Sequence, residues 1–139
     1  MSIQNNNKIY VRDVMVPQGK FPLINKSTIF KEALEEMGKH GLGILCIIDE
    51  NNKFCGIITD GDIRRKLLKV QKPFSAFFAD DASTHCIKEP VCCNENDSLN
   101  SAIKLMGEKQ VWDLPVIDKD QQLIGLLHLH PAVKALLER

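Results

Sequence analysis

Long apolar runs are missing from the sequence, and none approaches the length of about 20 residues that a membrane-spanning helix needs. The first residues, 1–8, are polar and rich in asparagine, without the basic start and apolar stretch of a signal peptide. An excess of charge is missing too, because 18 Lys and Arg balance 18 Asp and Glu. We therefore expect a cytoplasmic protein that contacts neither membrane nor nucleic acid, since duplex-binding proteins usually carry a basic excess.

The cysteines do not fit a disulfide framework or a zinc site. Their number, five, is odd, and Cys92 and Cys93 are neighbours, which rarely bridge. His85 and Cys86 precede that pair without the usual Cys-x2-Cys spacing of zinc ligands. We attribute this grouping to chance and expect no bound metal.

What the sequence does contain is an internal repeat. Identical residues recur 69 positions apart, which is the distance from Ala33 to Ala102. The same interval relates five further pairs: Met37 and Met106, Gly38 and Gly107, Leu45 and Leu114, Asp49 and Asp118, and Gly56 and Gly125. The predicted organisation is a polar tail (1–8), a first repeat (9–70), and a connector with a second repeat (71–139). One repeat alone would be marginally stable, so the two copies are expected to share a core.

Each repeat predicts a first helix with one apolar stripe. The spacing i, i+3, i+4, i+7 recurs in both copies, as Phe30, Ala33, Leu34 and Met37, and as Leu99, Ala102, Ile103 and Met106. Ser27 or Thr28 is the predicted N-cap in the first copy, with Gly41 as the stop signal. Asp97 or Ser98 is the predicted N-cap in the second copy.

Short apolar runs around polar turns predict the strands. Hairpin strands are expected over 44–48 and 55–58 and over 114–117 and 123–127, with leading strands over 21–24 and 90–93. Second helices are expected over 62–69 and 131–138, with Pro131 at a first helical position. The predicted fold class is α+β, with two β-α-β-β-α repeats packed through their sheets in pseudo-two-fold symmetry.

Several motifs carry a family resemblance. Residues 114–118 (Leu-Pro-Val-Ile-Asp) and 56–62 (Gly-Ile-Ile-Thr-Asp-Gly-Asp) resemble the CBS (cystathionine β-synthase-type) domain, and the likeness extends over about 9–137. The motifs of 11–15, 41–43, 59–65 and 127–130 resemble the C-terminal CBS pair of bacterial arabinose-5-phosphate isomerases. Those enzymes act in the synthesis of Kdo, an acidic sugar of lipopolysaccharide. The stretch 59–65 also resembles CBS pairs attached to sugar nucleotidyltransferases.

The resemblance implies a regulatory module with no catalytic residues of its own. The isomerase reaction would be carried out by a sugar-isomerase domain that this sequence does not contain. The implied ligand is a nucleotide, such as AMP, ADP or ATP, or a CMP-sugar such as CMP-Kdo, with no cofactor required. The resemblance also implies a homodimer formed through the CBS pairs. Two alternatives stay open: an interaction domain that binds no ligand, and the isomerase itself, for which no catalytic constellation is recognisable.

The predicted ligand site lies where a strand ends and a helix begins. The free N–H groups of the helix start favour a phosphate, which the hydroxyl of Thr59 would also contact. Gly61 follows Asp60 and allows close backbone approach, and the carboxylate of Asp62 suits two ribose hydroxyls. The alternative is that Asp62 only stabilises the first turn.

Further ligand contacts are expected on both sides of this turn. Arg64 or Arg65 would add a phosphate contact, and at least one of them is expected to be surface only. The base is expected between the leading strand and the start of the next, at Leu23, Ile24, Gly43, Ile44 and Leu45.

The second repeat departs from this pattern. The residues 69 positions after Thr59 and Asp62 are His128 and Pro131, so the ribose carboxylate is missing. His128 and His130 would face one side of a strand, and Trp112, which aligns with Gly43, could stack on a base. We expect one ligand site per chain.

Overall fold

The computed structural model describes residues 8–69 and 73–138. They form two compact units, one made by Gly19–Pro90 and the other by 91–138 with the N-terminal segment up to Gln18. The N-terminal segment thus joins the second repeat, and the connector joins the first. The predicted boundaries, 9–70 and 71–139, follow the order of the sequence instead. Residues 1–7 of the predicted tail and 70–72 of the connector lie outside the described residues.

Six helices, seven strands and a 3₁₀ turn follow one another along the described chain. In order they are α1 (Val11–Val14), β1 (Val16–Pro17), β2 (Leu23–Asn25), α2 (Phe30–His40), β3 (Ile44–Ile48), β4 (Phe54–Thr59), α3 (Asp60–Lys69), α4 (Phe74–Phe78), the turn Ala82–His85, β5 (Cys93–Asn94), α5 (Leu99–Lys109), β6 (Asp113–Ile117), β7 (Leu123–His128) and α6 (Leu129–Glu138). Each repeat therefore has the predicted order of strand, helix, strand, strand, helix.

The two sheets share one pairing scheme. β2 runs parallel to β3, which pairs antiparallel with β4, and β5, β6 and β7 repeat this arrangement. β1 pairs antiparallel with the free edge of β7. Ile87 takes the corresponding place beside β4, where it exchanges two backbone hydrogen bonds with Ile57 at 2.8 and 3.0 Å. In each unit a segment distant in sequence thus covers the hairpin edge.

The first helices begin differently from each other. Ser98 caps α5, and its hydroxyl accepts a hydrogen bond from the amide of Ser101, as predicted. The prediction of Ser27 or Thr28 for α2 is wrong, because Ile29 is the N-cap and makes no side-chain cap bond. The amide of Phe30 donates instead to the carbonyl of Asp80 at 2.8 Å. A backbone acceptor from the connector therefore replaces the side-chain cap.

The stop signal and the apolar stripes are confirmed. Gly41 adopts the left-handed conformation, with φ of 64°, and its amide donates to the carbonyl of Met37. The stripe residues of both helices lie in or against the hydrophobic clusters of their own units. In the unit Gly19–Pro90, the ring of Phe30 lies 4.9 Å from that of Phe77 and 5.4 Å from that of His85.

Candidate functional site

The junction between β4 and α3 is built around Thr59. The helix begins at Asp60, two residues earlier than predicted, directly after the last strand residue. The hydroxyl of Thr59 accepts a hydrogen bond from the amide of Asp62 at 3.2 Å and donates to its Oδ2 at 2.7 Å. Thr59 therefore acts as the N-cap of α3, which satisfies one of the free amides of the first turn.

Two other amides of this turn differ in their partners. The amide of Asp60 donates to the carbonyl of Gly43 at 3.0 Å, which ties the helix start to the loop before β3. The amide of Gly61 makes no hydrogen bond with another described residue. It adjoins the positive end of the helix dipole and is available to an anion.

Asp62 is held in place but retains acceptor capacity. Its side chain is 18% exposed, and Oδ1 accepts a hydrogen bond from Nη2 of Arg65 at 2.7 Å. Burial alone would raise the pKa of Asp62, but hydrogen bonds from Thr59 and Arg65 and the charge of Arg65 hold it below its ordinary value. The stability that these contacts add is present above the unfolded pKa and is lost as the pH falls through the folded one. A carboxylate offers about four acceptor positions, so positions remain for ligand hydroxyls.

The two arginines differ in the contacts that they make. The guanidinium of Arg65 folds back over Gly61, where a Cβ atom would lie 3.1 Å from Nη1. The side chain of Arg64 is exposed and makes no ion pair within the described part of the chain. Arg65 is therefore the arginine that lies beside the helix start.

Two cavities flank the first turn of α3, both within the unit Gly19–Pro90. The first measures about 440 Å³, and eight residues line it: Leu34, Met37, Gly38, Gly41, Leu42, Gly43, Asp60 and Ile63. The second measures about 520 Å³ and is called the α3 groove below. Asp62, Arg65, Lys66 and Lys69 line one side of it, and Phe77 and residues 85–87 line the rest. Both volumes lie in the range of about 300–1,000 Å³ typical of small-molecule sites.

The residues predicted to hold a base are mostly enclosed. Leu23 is half-buried, whereas the exposed fractions of Ile24, Ile44 and Leu45 are 8%, 2% and 0%. Among these predicted residues, Gly43 is the one that lines either of the two cavities described above.

The apolar wall beside Gly43 comes from residues that the sequence did not single out. Leu34, Met37, Leu42 and Ile63 supply it. The apolar stripe of α2 pointed to Leu34 and Met37 as core residues, and that periodicity does not distinguish a core wall from a cavity wall. The base-binding role predicted for Leu23, Ile24, Gly43, Ile44 and Leu45 stays a prediction.

The second repeat arranges its predicted residues differently. His128 ends β7, and its Nδ1 lies 2.7 Å from Oδ1 of Asp113. The prediction that His128 and His130 share one side of a strand is wrong, because α6 begins at Leu129 and His130 lies in that helix. Burial raises the pKa of Asp113, and the hydrogen bond from His128 opposes that rise.

Neither a nucleotide motif nor a metal centre follows from these residues. Pro131 is the third residue of α6, so no carboxylate stands where Asp62 stands in α3. Trp112 is 71% exposed and lines a cavity of about 320 Å³ with Val111 and Leu129.

Within 8–69 and 73–138, no group of three or more His, Cys, Asp or Glu side chains is placed to hold a metal ion. In the same ranges no helix is long and apolar enough to cross a membrane.

Comparison with known proteins assigns the fold. The family model described as the CBS domain matches residues 11–69 and 82–137. The chain belongs to the CBS domain family. The tandem CBS pair that the motifs predicted is thereby confirmed, and CBS pairs are regulatory modules rather than catalytic ones.

Solved structures of CBS pairs match over nearly the whole chain. CBSX2 in complex with AMP is 28% identical with a TM-score of 0.82, over 94% of this chain and 97% of that one. CBSX2 from Arabidopsis thaliana is 26% identical with a TM-score of 0.79, over 94% and 95%. A CBS domain-containing protein from Bacillus anthracis is 17% identical with a TM-score of 0.84, over 98% and 99%, which shows the fold alone.

The curated relatives are longer proteins. The arabinose 5-phosphate isomerase KdsD of Pseudomonas aeruginosa is 30% identical over 127 residues, which are 90% of this chain and 37% of that protein. KdsD of Salmonella typhi is 32% identical over 125 residues, with the same coverage. The chain thus spans less than two fifths of the length of these relatives. The predicted resemblance to the CBS pair of these isomerases is confirmed.

Proposed function

We propose that this CBS pair senses a nucleotide or nucleotide-sugar at the first turn of α3. The observation that carries the proposal is the arrangement of three groups on one turn: the free amide of Gly61, the capping hydroxyl of Thr59 and the carboxylate of Asp62. An amide and a hydroxyl suit a phosphate, and a partly free carboxylate suits ribose hydroxyls. Arg65 adds a positive charge within reach of the same turn.

The related structures favour an adenosine nucleotide. CBSX2, which is 28% identical to this chain, was solved with AMP. The cavity beside Gly43 and Asp60 has apolar walls from Leu42 and Ile63, and such walls suit the faces of a base. A bound ligand would regulate the protein only if its affinities for two states of the protein differed, because binding then shifts the balance between those states.

The test is a thermal-shift screen of AMP, ADP, ATP, CMP and CMP-Kdo on the wild-type chain and on Asp62→Ala. We expect one ligand class to raise the melting temperature of the wild type. Asp62→Ala removes charged hydrogen bonds on a partly exposed group, so its affinity should fall about tenfold. Arg64→Ala is the matched control on the same helix and should bind within about twofold of the wild type. A stabilisation that Asp62→Ala leaves intact would contradict the site, and no stabilisation by any nucleotide would contradict the function.

The similarity to KdsD motivates a biological setting for this module. The setting is regulation of an arabinose-5-phosphate isomerase-type activity in Kdo and lipopolysaccharide synthesis, exerted on a sugar-isomerase domain. A CMP-sugar would then report the level of the pathway product. The regulatory CBS pair of a sugar nucleotidyltransferase is the alternative setting.

A second candidate function is self-association into a homodimer. The last helix of each repeat exposes a leucine, with Leu68 82% and Leu137 80% exposed. The two residues stand 69 positions apart, so the repeats present the same apolar group at the same place. Exposed large apolar side chains at matched positions favour a contact with an equally apolar surface, and a second copy supplies one.

Sedimentation velocity tests this candidate. We expect the wild type to sediment as a dimer and the double variant Leu68→Lys, Leu137→Lys to sediment as a monomer with an unchanged circular dichroism spectrum. The charges would be buried at a dimer contact, which is costly, but would be solvated in the free chain. A wild type that sediments as a monomer at its highest soluble concentration would rule out this candidate.

A further inference from the structure

We propose that the chain self-associates through one face of α6, which packs antiparallel against the same face of a second copy. The face is a row of four side chains, called the α6 row below: Trp112, Leu129, Val133 and Leu137. The row lies wholly within the unit that contains the second repeat. The inference rests on the homodimer proposed above and assigns its contact surface to the second repeat alone.

The α6 row is continuous and apolar. Leu129, Val133 and Leu137 recur every four residues, so they line up along one side of the helix. Trp112 extends the row at the start of α6, where its carbonyl accepts a hydrogen bond from the amide of Leu129 at 2.9 Å. The exposed fractions of Trp112, Val133 and Leu137 are 71%, 37% and 80%. The exposed large apolar side chains described in this unit thus all belong to one row, and such concentration marks an interaction surface.

The first repeat shows that the fold does not require an apolar row. The positions 69 residues earlier are Gly43, Asp60, Arg64 and Leu68. A glycine, a carboxylate and a guanidinium therefore stand where the second repeat has an indole and two aliphatic side chains. The same type of helix packs on its sheet in both repeats, so the apolar row is a property of the second repeat and not of the fold.

Charge also favours a contact between two copies of α6. Beside the α6 row, Lys134 and Glu138 lie 4.0 Å apart and balance each other. The equivalent positions of α3 are Arg65 and Lys69, so two α3 faces would bring like charges together, which is destabilising. An α3 face against an α6 row would lay the guanidinium of Arg64 on apolar side chains and remove it from water. The α6 row of a second copy carries neither cost.

The α6 row is complementary to itself when the two helices run antiparallel. With Val133 on the two-fold axis, Leu137 of one copy lies opposite Leu129 and Trp112 of the other. These two residues line a cavity of about 320 Å³. A dry cavity of about 150 Å³ already admits benzene, so this one has room for the side chain of Leu137. Glu138 would then adjoin the positive N-terminal end of α6 in the second copy.

The size of the contact sets its strength. Specific interfaces of standard size bury at least about 1,200 Å², and a buried aromatic side chain contributes about 150–250 Å². Two indoles with the valine and leucine side chains of both copies place this contact at the low end of that scale. We therefore expect a dimer with a dissociation constant in the micromolar range.

The experiment combines sedimentation velocity with tryptophan fluorescence, because Trp112 is the single tryptophan of the chain. The wild type should form dimers as its concentration rises, and its emission should move to shorter wavelength as the indole is buried. Leu137→Lys should raise the dissociation constant at least about tenfold, since symmetry places the change on both sides of the contact. Val133→Arg, which gives α6 the residue that α3 has at the equivalent position, should do the same. Leu68→Lys is the matched control in the first repeat and should dimerise like the wild type.

The outcomes separate this surface from self-association itself. A dimer that Leu137→Lys leaves intact, that Leu68→Lys weakens equally, or whose formation does not move the emission of Trp112 would overturn the α6 contact and leave the homodimer standing. A wild type that stays monomeric up to its highest soluble concentration would end both proposals. Circular dichroism spectra of the three variants should match that of the wild type, because each substitution is at an exposed residue.

Discussion

Phe30→Ala should lower the free energy of unfolding by about 3–5 kcal/mol, the largest stability loss that we expect from any single substitution discussed for this chain. The ring is fully buried and lies at the start of α2, on the rings of Phe77, Phe78 and His85. Its neighbours come from the connector as well as from the repeat. Truncation would therefore leave a cavity lined by elements that cannot collapse together without moving α2.

Urea denaturation followed by circular dichroism measures this loss. Phe30→Leu is the matched control, because it retains most of the side-chain volume and should cost only about 1–1.5 kcal/mol. A shifted midpoint of unfolding, with an unchanged slope of the unfolding free energy against urea concentration, would show that only the stability changed. The compactness of the folded and unfolded states would then be the same as in the wild type. A loss below about 1 kcal/mol for Phe30→Ala would contradict the packing described for α2 and the connector.

Gly56→Ala should cost about 2–3 kcal/mol, because the added methyl group would meet backbone. A Cβ atom at Gly56 would overlap the carbonyl oxygen of Ile87 and lie 2.9 Å from Sγ of Cys86. That carbonyl accepts a hydrogen bond from the amide of Ile57, so it cannot move without loss of the pairing beside β4. Overpacking at a constrained site typically costs about 1–3 kcal/mol, and the fixed backbone places this case at the upper end.

Gly38→Ala is the control for that experiment and has the opposite expected sign. Gly38 lies inside α2, and a Cβ atom there would have no neighbour within 4 Å. Alanine should therefore stabilise the helix by about 0.5–1 kcal/mol. Thermal unfolding of both variants checks the pair, and equal effects of the same sign would contradict the close approach at Gly56. Gly125 has the equivalent place in the second repeat, where a Cβ atom would lie 2.7 Å from Sδ of Met15.

The sequence alone predicted much of each repeat, because the relevant signals are local. The stripe from Phe30 to Met37 and its copy in α5 follow from helical spacing, and the strands follow from short apolar runs around polar turns. The junction at Thr59 was predicted because a strand signal ends where a helix signal starts. The family followed from the same residues, since the motif 56–62 and its counterpart occur in one register.

The position and ends of some elements were not predictable in this way. The second helices start two residues earlier than predicted, at Asp60 and Leu129, because the strand and helix meet without a loop. His130 therefore lies in a helix, although alternation along a strand would have placed it beside His128. Periodicity is weak at such a junction, because a few residues satisfy both patterns.

Which segments complete each unit was decided by tertiary structure alone. The amide of Phe30 finds its acceptor at Asp80, and the N-terminal strand β1 pairs with β7, more than 100 residues later in the chain. The α3 groove likewise depends on the connector, whose residues His85 and Ile87 line it together with Lys66 and Lys69 of α3. The sequence determined the two repeats, their helices and strands, and the residues of the candidate nucleotide turn. Only the fold decided which distant segments cover each sheet edge and helix start, because backbone pairing depends on geometry that no local pattern of side chains specifies.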